Sequence, residues 1–357
     1  MWLPQNFNVL VLRSLPSIAE TSCMDACMTK TLDPDFPLSN EDAPFLSQLD
    51  STVVRPVFIM GLHRSGTTFL YSCMAKSFPL ANLSLYHLFY YDRLLANKSD
   101  DGCENKDKAL LNNYLLSLGV GDRGLDSTEV NADSVEEYGF LLRQRFSSFK
   151  FSDKNAPFFD QMCRKLLYVQ KGSEAVLLKN PWDTGNAETI LKHFPQARFV
   201  YINREPIAVL NSMLNAMLSY LESPQHYLEL LLSPSGNRQS YRGAYVLWRG
   251  LRLVRKLIGR NAMARLLRPV MRKNLAVQLA GYRAEIDNLP KDKAVEVDYQ
   301  QLVADPQAVM ANLQPLLSLP LLNADLTMNV RQRFSLNPIL QGYESKLMSY
   351  LKTRGVL

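Results

Sequence analysis

The 357-residue chain is 47% apolar and has a formal net charge of +6, which excludes a disordered protein and allows a large buried core. The charge is uneven. Of the 40 Lys and Arg residues, 12 lie within residues 230–284, where there is no Asp or Glu. The rest of the chain therefore contains 28 basic and 34 acidic residues. One basic surface for an anionic partner is therefore expected. Five cysteines without paired CxxC motifs predict reduced thiols and a cytoplasmic protein, and neither a membrane span nor a signal peptide is evident.

Residues 1–50 are predicted to form a short helix and an irregular lead-in, and we assign residues 51–357 to one domain. Short apolar runs predict buried strands at 56–61, 174–181, 197–206 and 293–302, and the periodic segments predict helices at 67–78, 133–146, 184–195, 206–221 and 305–319. The helix at 133–146 is expected to have Asp133 or Ser134 as its N-cap. Apolar strands that alternate with helices predict an α/β fold, a P-loop-type doubly wound parallel sheet flanked by helices. Ligands of such folds bind at the carboxyl ends of the strands.

The segment PVFIMGLHRSGTTFL, residues 56–70, joins the first strand to a helix through a glycine-containing loop. Gly61 and Gly66 allow sharp turns beside an anion, and the free amides at the helix start favour negative charge. Arg64 adds a forked cation suited to phosphate oxygens. A nucleotide triphosphatase would have Lys in place of Thr67, and no convincing acidic partner for Mg²⁺ follows the later strands, so we predict a site for a smaller anion without a metal. The other candidate anion-binding residues of the loop are His63, Ser65, Thr67 and Thr68.

A second motif, FVYINREPIAVLNSM at residues 199–213, places Arg204 just past the third predicted strand. Ser212 lies about two turns along the helix that follows, so the two side chains can reach one anion together. An Arg at a strand end is, taken alone, more often a salt-bridge partner. The motif gains its specificity from following the glycine-containing loop in the same chain.

Together these segments resemble sulfotransferases that use 3′-phosphoadenylyl sulfate, in the broad branch whose loops read GxxRSGTT. The resemblance covers roughly residues 54–320 and includes the Lys-x-Pro turn at Lys179. It implies that residues 64–68 hold the 5′-phosphate and the sulfonate, and that Arg204 and Ser212 hold the 3′-phosphate. One departure is that Gln300 and Gln301 stand where the family has an acidic pair, which weakens an acidic role there.

Sulfonate transfer to a hydroxyl needs positive charge at the leaving phosphate and a general base at the acceptor. Arg64 and Lys179 suit the first task. Two candidates for the base remain open. His87 lies in a region that often carries the base in relatives, but it can equally be a half-buried His among aromatic residues. Glu136 and Glu137 resemble an acidic helix start in relatives, but they can equally be favourable charges in a first helical turn.

A basic helical insertion is expected at about residues 238–287. Within it Leu247, Leu251, Val254 and Ile258 recur at helical spacing, with most of the Arg and Lys residues off this stripe. Such a helix can lie on an anionic membrane surface, so that the protein would be peripheral to a membrane. It can also cover the core with its apolar stripe and leave a solvated basic face, and we favour this second arrangement.

The sequence thus predicts an enzyme that moves a sulfonate from 3′-phosphoadenylyl sulfate to a hydroxyl, or an amine, of a small-molecule, lipid or carbohydrate acceptor. Two alternatives stay open: a P-loop kinase that uses Mg-ATP on a small metabolite, and a nucleotide-binding protein without catalytic activity. No motif predicts a nucleic-acid partner. The acceptor and the oligomeric state do not follow from these patterns.

Overall fold

A computed structural model describes residues 36–100, 102–121, 130–222, 226–232, 242–326 and 335–357. Its centre is a parallel sheet with the strand order β2-β3-β1-β4-β5. The strands are β1 (Pro56–Gly61), β2 (Leu80–Asn82), β3 (Ala175–Lys179), β4 (Arg198–Asn203) and β5 (Ala294–Asp298). The predicted parallel α/β fold is confirmed, and the short edge strand β2 is an addition to the predicted strands.

Helices surround the sheet and connect its strands. In chain order they are α1 (Thr67–Ser77), α2 (Leu85–Phe89), α3 (Leu94–Ser99), α4 (Cys103–Ser117), α5 (Tyr138–Phe146), α6 (Ala156–Val169), α7 (Ala187–His193), α8 (Pro206–Glu222), α9 (His226–Leu232), α10 (Arg242–Asn288), α11 (Tyr299–Ala304), α12 (Pro306–Leu317) and α13 (Glu344–Thr353). Short 3₁₀ turns lie at Ala43–Leu49, Pro181–Asp183 and Pro338–Leu340.

Both faces of the sheet are covered, which explains why its central strands are continuous apolar runs. Successive side chains of a strand point to opposite faces. Val57 and Ile59 of β1 therefore pack in one core with residues of α1 and α12, whereas Phe58 and Met60 pack in a second core with residues of α6, α8 and α10.

The strand order brings the two sequence motifs together. Because β1 lies between β3 and β4 and all three run parallel, their carboxyl ends meet at one edge of the sheet. Gly61 at the end of β1 lies opposite Ile202 near the end of β4. The glycine-containing loop and the Arg204 turn are therefore neighbours, at the edge where ligands of such folds bind.

One predicted helix boundary is wrong. Helix α5 begins at Tyr138, with Glu137 as its N-cap residue, rather than after Asp133 or Ser134. The residues before it pair with the segment that follows β2, through a bridge between Ser84 and Val135 and a 2.9 Å hydrogen bond from the Glu136 amide to the Leu83 carbonyl. This pairing between distant segments overrides the local signal for an earlier helix start.

Part of the lead-in packs on the domain. Asp42 is fully buried, and one of its carboxylate oxygens accepts hydrogen bonds from the amides of Leu95 and Ala96. Its other oxygen lies 2.6 Å from the Nζ of Lys165, which is also buried. This ion pair joins the lead-in to α6. Residues 1–35, the larger part of the segment in which a short helix and an irregular lead-in were expected, lie outside the described residues.

The basic segment forms α10, which is interrupted by non-helical backbone at Gly259 (φ 79°, ψ 170°). We call residues 242–258, before this break, the basic arm. We expected the apolar stripe of the arm to cover the core, and this is wrong, because Leu247, Val254 and Ile258 are 45%, 38% and 43% exposed. Of the four residues of the stripe, Leu251 alone packs partly against the core. After the break α10 does cover the core, with Met263, Leu267, Met271 and Leu275 buried. Residues 238–241 of the expected insertion lie outside the described part of the chain.

Candidate functional site

The loop after β1 is held tightly at its first glycine. A Cβ atom at Gly61 would lie 2.8 Å from the Cγ2 of Ile202 and 2.9 Å from the Oγ of Ser65, so a larger residue does not fit. The hydroxyl of Thr184 accepts a hydrogen bond from the Gly61 amide (3.0 Å) and donates one to its carbonyl (2.8 Å). Ser65 is buried and donates to the Leu62 carbonyl (2.7 Å). These contacts hold the loop in place.

The second glycine of the loop leads directly into α1. Gly66 has a left-handed backbone conformation (φ 106°), and a Cβ there would clash with the ring of Tyr299. Helix α1 begins at Thr67, and its first amides lack partners within the helix. These amides and the hydroxyls of Thr67 and Thr68 are donors at one end of a helix dipole, an arrangement that binds anions.

Arg64 joins the two motifs. Its Nε donates to the Oγ of Ser212 on α8 (3.1 Å), and its carbonyl accepts a hydrogen bond from Nη1 of Arg204 (3.2 Å). The Arg204 guanidinium also lies 4.2 Å from the centre of the Tyr299 ring. Burial lowers the pKa of Arg204. Two cations and a hydroxyl from segments far apart in the sequence thus meet beside the loop.

Lys179 lies between the loop and the carboxylate of Glu137. It is buried at the end of β3, and its Nζ lies 3.2 Å from the Oγ1 of Thr68 and 3.4 Å from the Oε1 of Glu137. The neighbouring Glu136 is buried and accepts hydrogen bonds from the hydroxyl of Tyr227 (2.8 Å) and from the Glu137 amide (3.2 Å). The structure therefore brings Glu136, Glu137 and Lys179 together near the N-terminal end of α1.

His87 has different surroundings. It is buried in α2, where its Nδ1 accepts a hydrogen bond from the Ser84 amide (3.1 Å) and lies 2.8 Å from the Ser84 hydroxyl. Its Nε2 lies 3.4 Å from the side-chain amide of Gln170. Burial lowers the pKa of His87 to about 3, with a smaller contribution from Lys108. The ring is therefore neutral near pH 7 and completes a capping box at the start of α2.

His63 lies in the loop against an aromatic wall. Its ring meets Trp182 edge-on at 4.9 Å between centroids, and Trp182 stacks on Phe149 at 4.4 Å. Burial, with smaller contributions from the charges of Lys179 and Arg64, lowers the pKa of His63 to about 3. A neutral ring can contribute an N–H donor to an anion but no positive charge.

Sequence reasoning missed three residues that shape this site: Thr184, Tyr227 and Tyr299. Tyr299 directly follows β5, and its position at a carboxyl strand end is a signal that could have revealed it. Thr184 and Tyr227 act through contacts between segments far apart in the chain, for which the sequence gives no signal. Within the described residues, no group of three or more His, Cys, Asp or Glu side chains is arranged to hold a metal ion. No helix in this part of the chain is both long and apolar enough to cross a membrane.

A model of a protein family described as "Sulfotransferase family" matches residues 56–248, more than half of the chain. The matched segment contains both motifs and the residues around Lys179. The chain belongs to the sulfotransferase family. No curated protein matches the chain.

Solved sulfotransferases share its fold. The structure of sulfotransferase STF9 from Mycobacterium avium is similar with a TM-score of 0.54 at 18% sequence identity, and covers 87% of this chain and 79% of its own. Sulfotransferase STF1 from Mycobacterium tuberculosis H37Rv is similar with a TM-score of 0.52 at 15% identity and the same coverage. At these identities the likeness concerns the fold alone. Family membership favours sulfonate transfer over the kinase alternative.

Proposed function

We propose that this sulfotransferase-family protein moves a sulfonate from 3′-phosphoadenylyl sulfate to a hydroxyl, or an amine, of a small-molecule, lipid or carbohydrate acceptor. The observation that carries the proposal is the meeting of Arg64 with Ser212 and Arg204 at the carboxyl ends of β1 and β4. A donor with separate 5′ and 3′ anionic groups requires two neighbouring anion sites, and this chain has residues for both.

The residues present fit such a donor. Gly61 and Gly66 allow the loop to pack closely against Ile202 and Tyr299. The first amides at the start of α1 lack partners within the helix and are donors for an anion. Under the proposal, Arg64, Ser65, Thr67 and Thr68 hold the 5′-phosphate and the sulfonate, with His63 as a neutral donor. Arg204 and Ser212 hold the 3′-phosphate. Ser65 contributes through its backbone, because its hydroxyl is already bonded to Leu62.

The bound donor supplies an activated sulfonate whose leaving group is a phosphate. Bond formation between the acceptor oxygen and sulfur requires the acceptor to lose a proton, while the S–O bond to the phosphate breaks. Arg64 and Lys179 stabilise the negative charge that develops on that phosphate. Lys179 is suited to this role because it is buried and lies within 3.2 Å of Thr68.

Glu137 is the base that the geometry supports best. Its Oε1 lies 3.4 Å from Lys179 Nζ, so it stands beside the end of α1 where the sulfonate is placed. Glu136 has both oxygens engaged, with Tyr227 and with the Glu137 amide, which suits a positioning role. The neutral ring of His87 is buried and its Nδ1 accepts a hydrogen bond from the Ser84 amide, which favours a structural role.

A direct test is the transfer of radioactive sulfonate from labelled 3′-phosphoadenylyl sulfate to a panel of alcohol, sterol, sugar and amine acceptors. We expect labelled product with the wild-type protein, and a loss of product with Arg204→Ala but not with Arg265→Ala, an exposed residue of α10. Binding of the donor without product on any acceptor would instead support the non-catalytic alternative. The five cysteines form no paired CxxC motifs, which favours reduced thiols. The proposal therefore places this reaction in the cytoplasm.

A further inference from the structure

The basic arm has an apolar face that is exposed instead of packed on the described part of the protein. With about 3.6 residues per helical turn, its exposed apolar side chains fall on one half of the helix. They are Val246, Leu247, Leu253, Val254, Leu257 and Ile258, with exposures between 38% and 77%. Gly243 and Gly250 lie at the centre of this half. Apart from the neighbouring backbone of the helix itself, no described atom lies within 4 Å of the place where either Cβ would be.

The opposite half of the basic arm attaches it to the protein. The indole of Trp248 donates to the Tyr220 carbonyl (2.8 Å), and Arg255 pairs with Glu222 (2.5 Å), both at the end of α8. Arg252 lies 4.7 Å from the Trp248 ring. An amphipathic helix on a soluble domain ordinarily turns its apolar side inward. Here Trp248 and Leu251 pack partly against the core and polar contacts to α8 add to the attachment, while the apolar side with the six exposed residues faces away from these contacts.

The charge around this face identifies its partner. Residues 230–284 contain 12 Arg and Lys and no Asp or Glu, and the exposed Arg249 and Lys256 flank the apolar side. A second copy of the chain would bring these cations against cations, without a carboxylate from this segment to neutralise them. A membrane surface with anionic lipids offers both an apolar layer and negative headgroups.

We propose that the basic arm docks the protein on a membrane surface that contains anionic lipids. Val246, Leu253 and Leu257 enter the boundary between headgroups and acyl chains, and Arg249 and Lys256 contact the anionic headgroups. The arm lies in the plane of the membrane. The proposal does not depend on the sulfonate-transfer reaction.

Vesicle sedimentation with the full-length protein tests this proposal. We expect binding to vesicles of phosphatidylcholine mixed with phosphatidylserine, and much weaker binding to phosphatidylcholine alone. Leu253→Glu/Leu257→Glu should weaken binding at least about ten-fold, because it places charge in the apolar layer. The matched control is Leu38→Glu/Leu116→Glu, which changes two leucines exposed elsewhere on the chain and should leave binding unchanged.

A second pair of variants isolates the charge contribution. Arg249→Glu/Lys256→Glu should remove the preference for anionic vesicles, whereas Lys106→Glu/Lys154→Glu, at exposed positions outside the arm, should retain it. Raising the salt from about 0.1 M to about 1 M should weaken binding, since the screening length falls from about 10 Å to about 3 Å. Circular dichroism and thermal unfolding of each variant, measured in parallel, report whether the fold is intact.

Two results would overturn the proposal. One is that the folded wild-type protein binds no vesicle, or that the arm variants bind as well as their controls. The other is that the protein forms a dimer in solution that Leu253→Glu/Leu257→Glu dissociates, without any effect on vesicle binding. That result would assign the apolar face to a second copy of the chain.

Discussion

Arg64 has a backbone conformation that non-glycine residues rarely adopt, with φ at 70°. This conformation costs roughly 1 kcal/mol. Its carbonyl and its guanidinium are nonetheless both engaged, with Arg204 and Ser212 respectively. The strain is therefore offset by contacts that join the two motifs. The sequence predicted these three residues as anion ligands, but it did not reveal that they contact one another, because the contacts depend on the order of the strands.

The proposed role of Glu137 as the base leads to a prediction for a single residue. Glu137→Gln should lower kcat by about 100-fold, the usual size of a general-base contribution. Binding of adenosine 3′,5′-bisphosphate should change little, since the carboxylate contacts Lys179 rather than the proposed 3′-phosphate residues. Steady-state kinetics and calorimetric titration measure the two quantities.

Two variants serve as comparisons for Glu137→Gln. Glu188→Gln, at an exposed position in the first turn of α7, should leave kcat unchanged. His87→Gln should leave kcat within a few-fold of the wild type once the fold is intact. The opposite pattern, with kcat lost in His87→Gln and retained in Glu137→Gln, would make His87 the base.

Burial of His87 also affects stability. Its pKa in the folded protein is lowered to about 3 from an ordinary value of 6.5. The unfolded chain therefore binds a proton that the folded protein does not between these values, so stability falls as the pH drops below about 6.5. Over the interval from pH 7 to pH 5 this contribution is about 2 kcal/mol. Urea unfolding at both pH values should show that His87→Gln loses less free energy of unfolding between pH 7 and pH 5 than the wild type does. An equal loss in the two proteins would contradict the account of His87 as a buried, neutral ring.

At the scale of elements, strong local patterns predicted the central strands correctly, whereas contacts between elements decided the rest. The run PVFIMG forms β1 because it is buried on both faces. The predicted start of α5 was wrong, because the residues before Tyr138 pair with the segment after β2 instead of forming helix. The basic arm shows the same limit: its periodicity predicted an amphipathic helix, but which side packs on the protein depends on Trp248 and Glu222.

The ion pair between Asp42 of the lead-in and Lys165 of α6 is one contact between elements that can be tested. Lys165→Met leaves the fully buried Asp42 without its cation and should lower the free energy of unfolding by about 3 kcal/mol. The double variant Asp42→Asn/Lys165→Met should recover part of this loss, because no buried charge remains. Denaturant unfolding of both variants measures the difference. Equal stability of the wild type and Lys165→Met would show that the pair does not fix the lead-in.

At the scale of the whole molecule, the sheet order β2-β3-β1-β4-β5 produces the site. It places the ends of β1, β3 and β4 side by side, so that the loop, Lys179 and Arg204 share one edge of the sheet. The alternation of strands and helices predicted this edge as the site. The position of Tyr299 at the end of β5 was a signal for this edge, but its contacts with Gly66 and Arg204 depend on the strand order and could not be read from the sequence.

The central claim is that this edge recognises a nucleotide with 5′ and 3′ phosphates, and a thermal-shift titration tests it most directly. Adenosine 3′,5′-bisphosphate, ADP and Mg-ATP are each added to the wild type, to Arg204→Ala and to the control Arg265→Ala. At about 100 times its Kd, a ligand adds about 2.7 kcal/mol of stability. We predict that the bisphosphate alone produces this stabilisation in the wild type and the control, and that Arg204→Ala loses it. Stabilisation by Mg-ATP in preference to the bisphosphate would contradict the account.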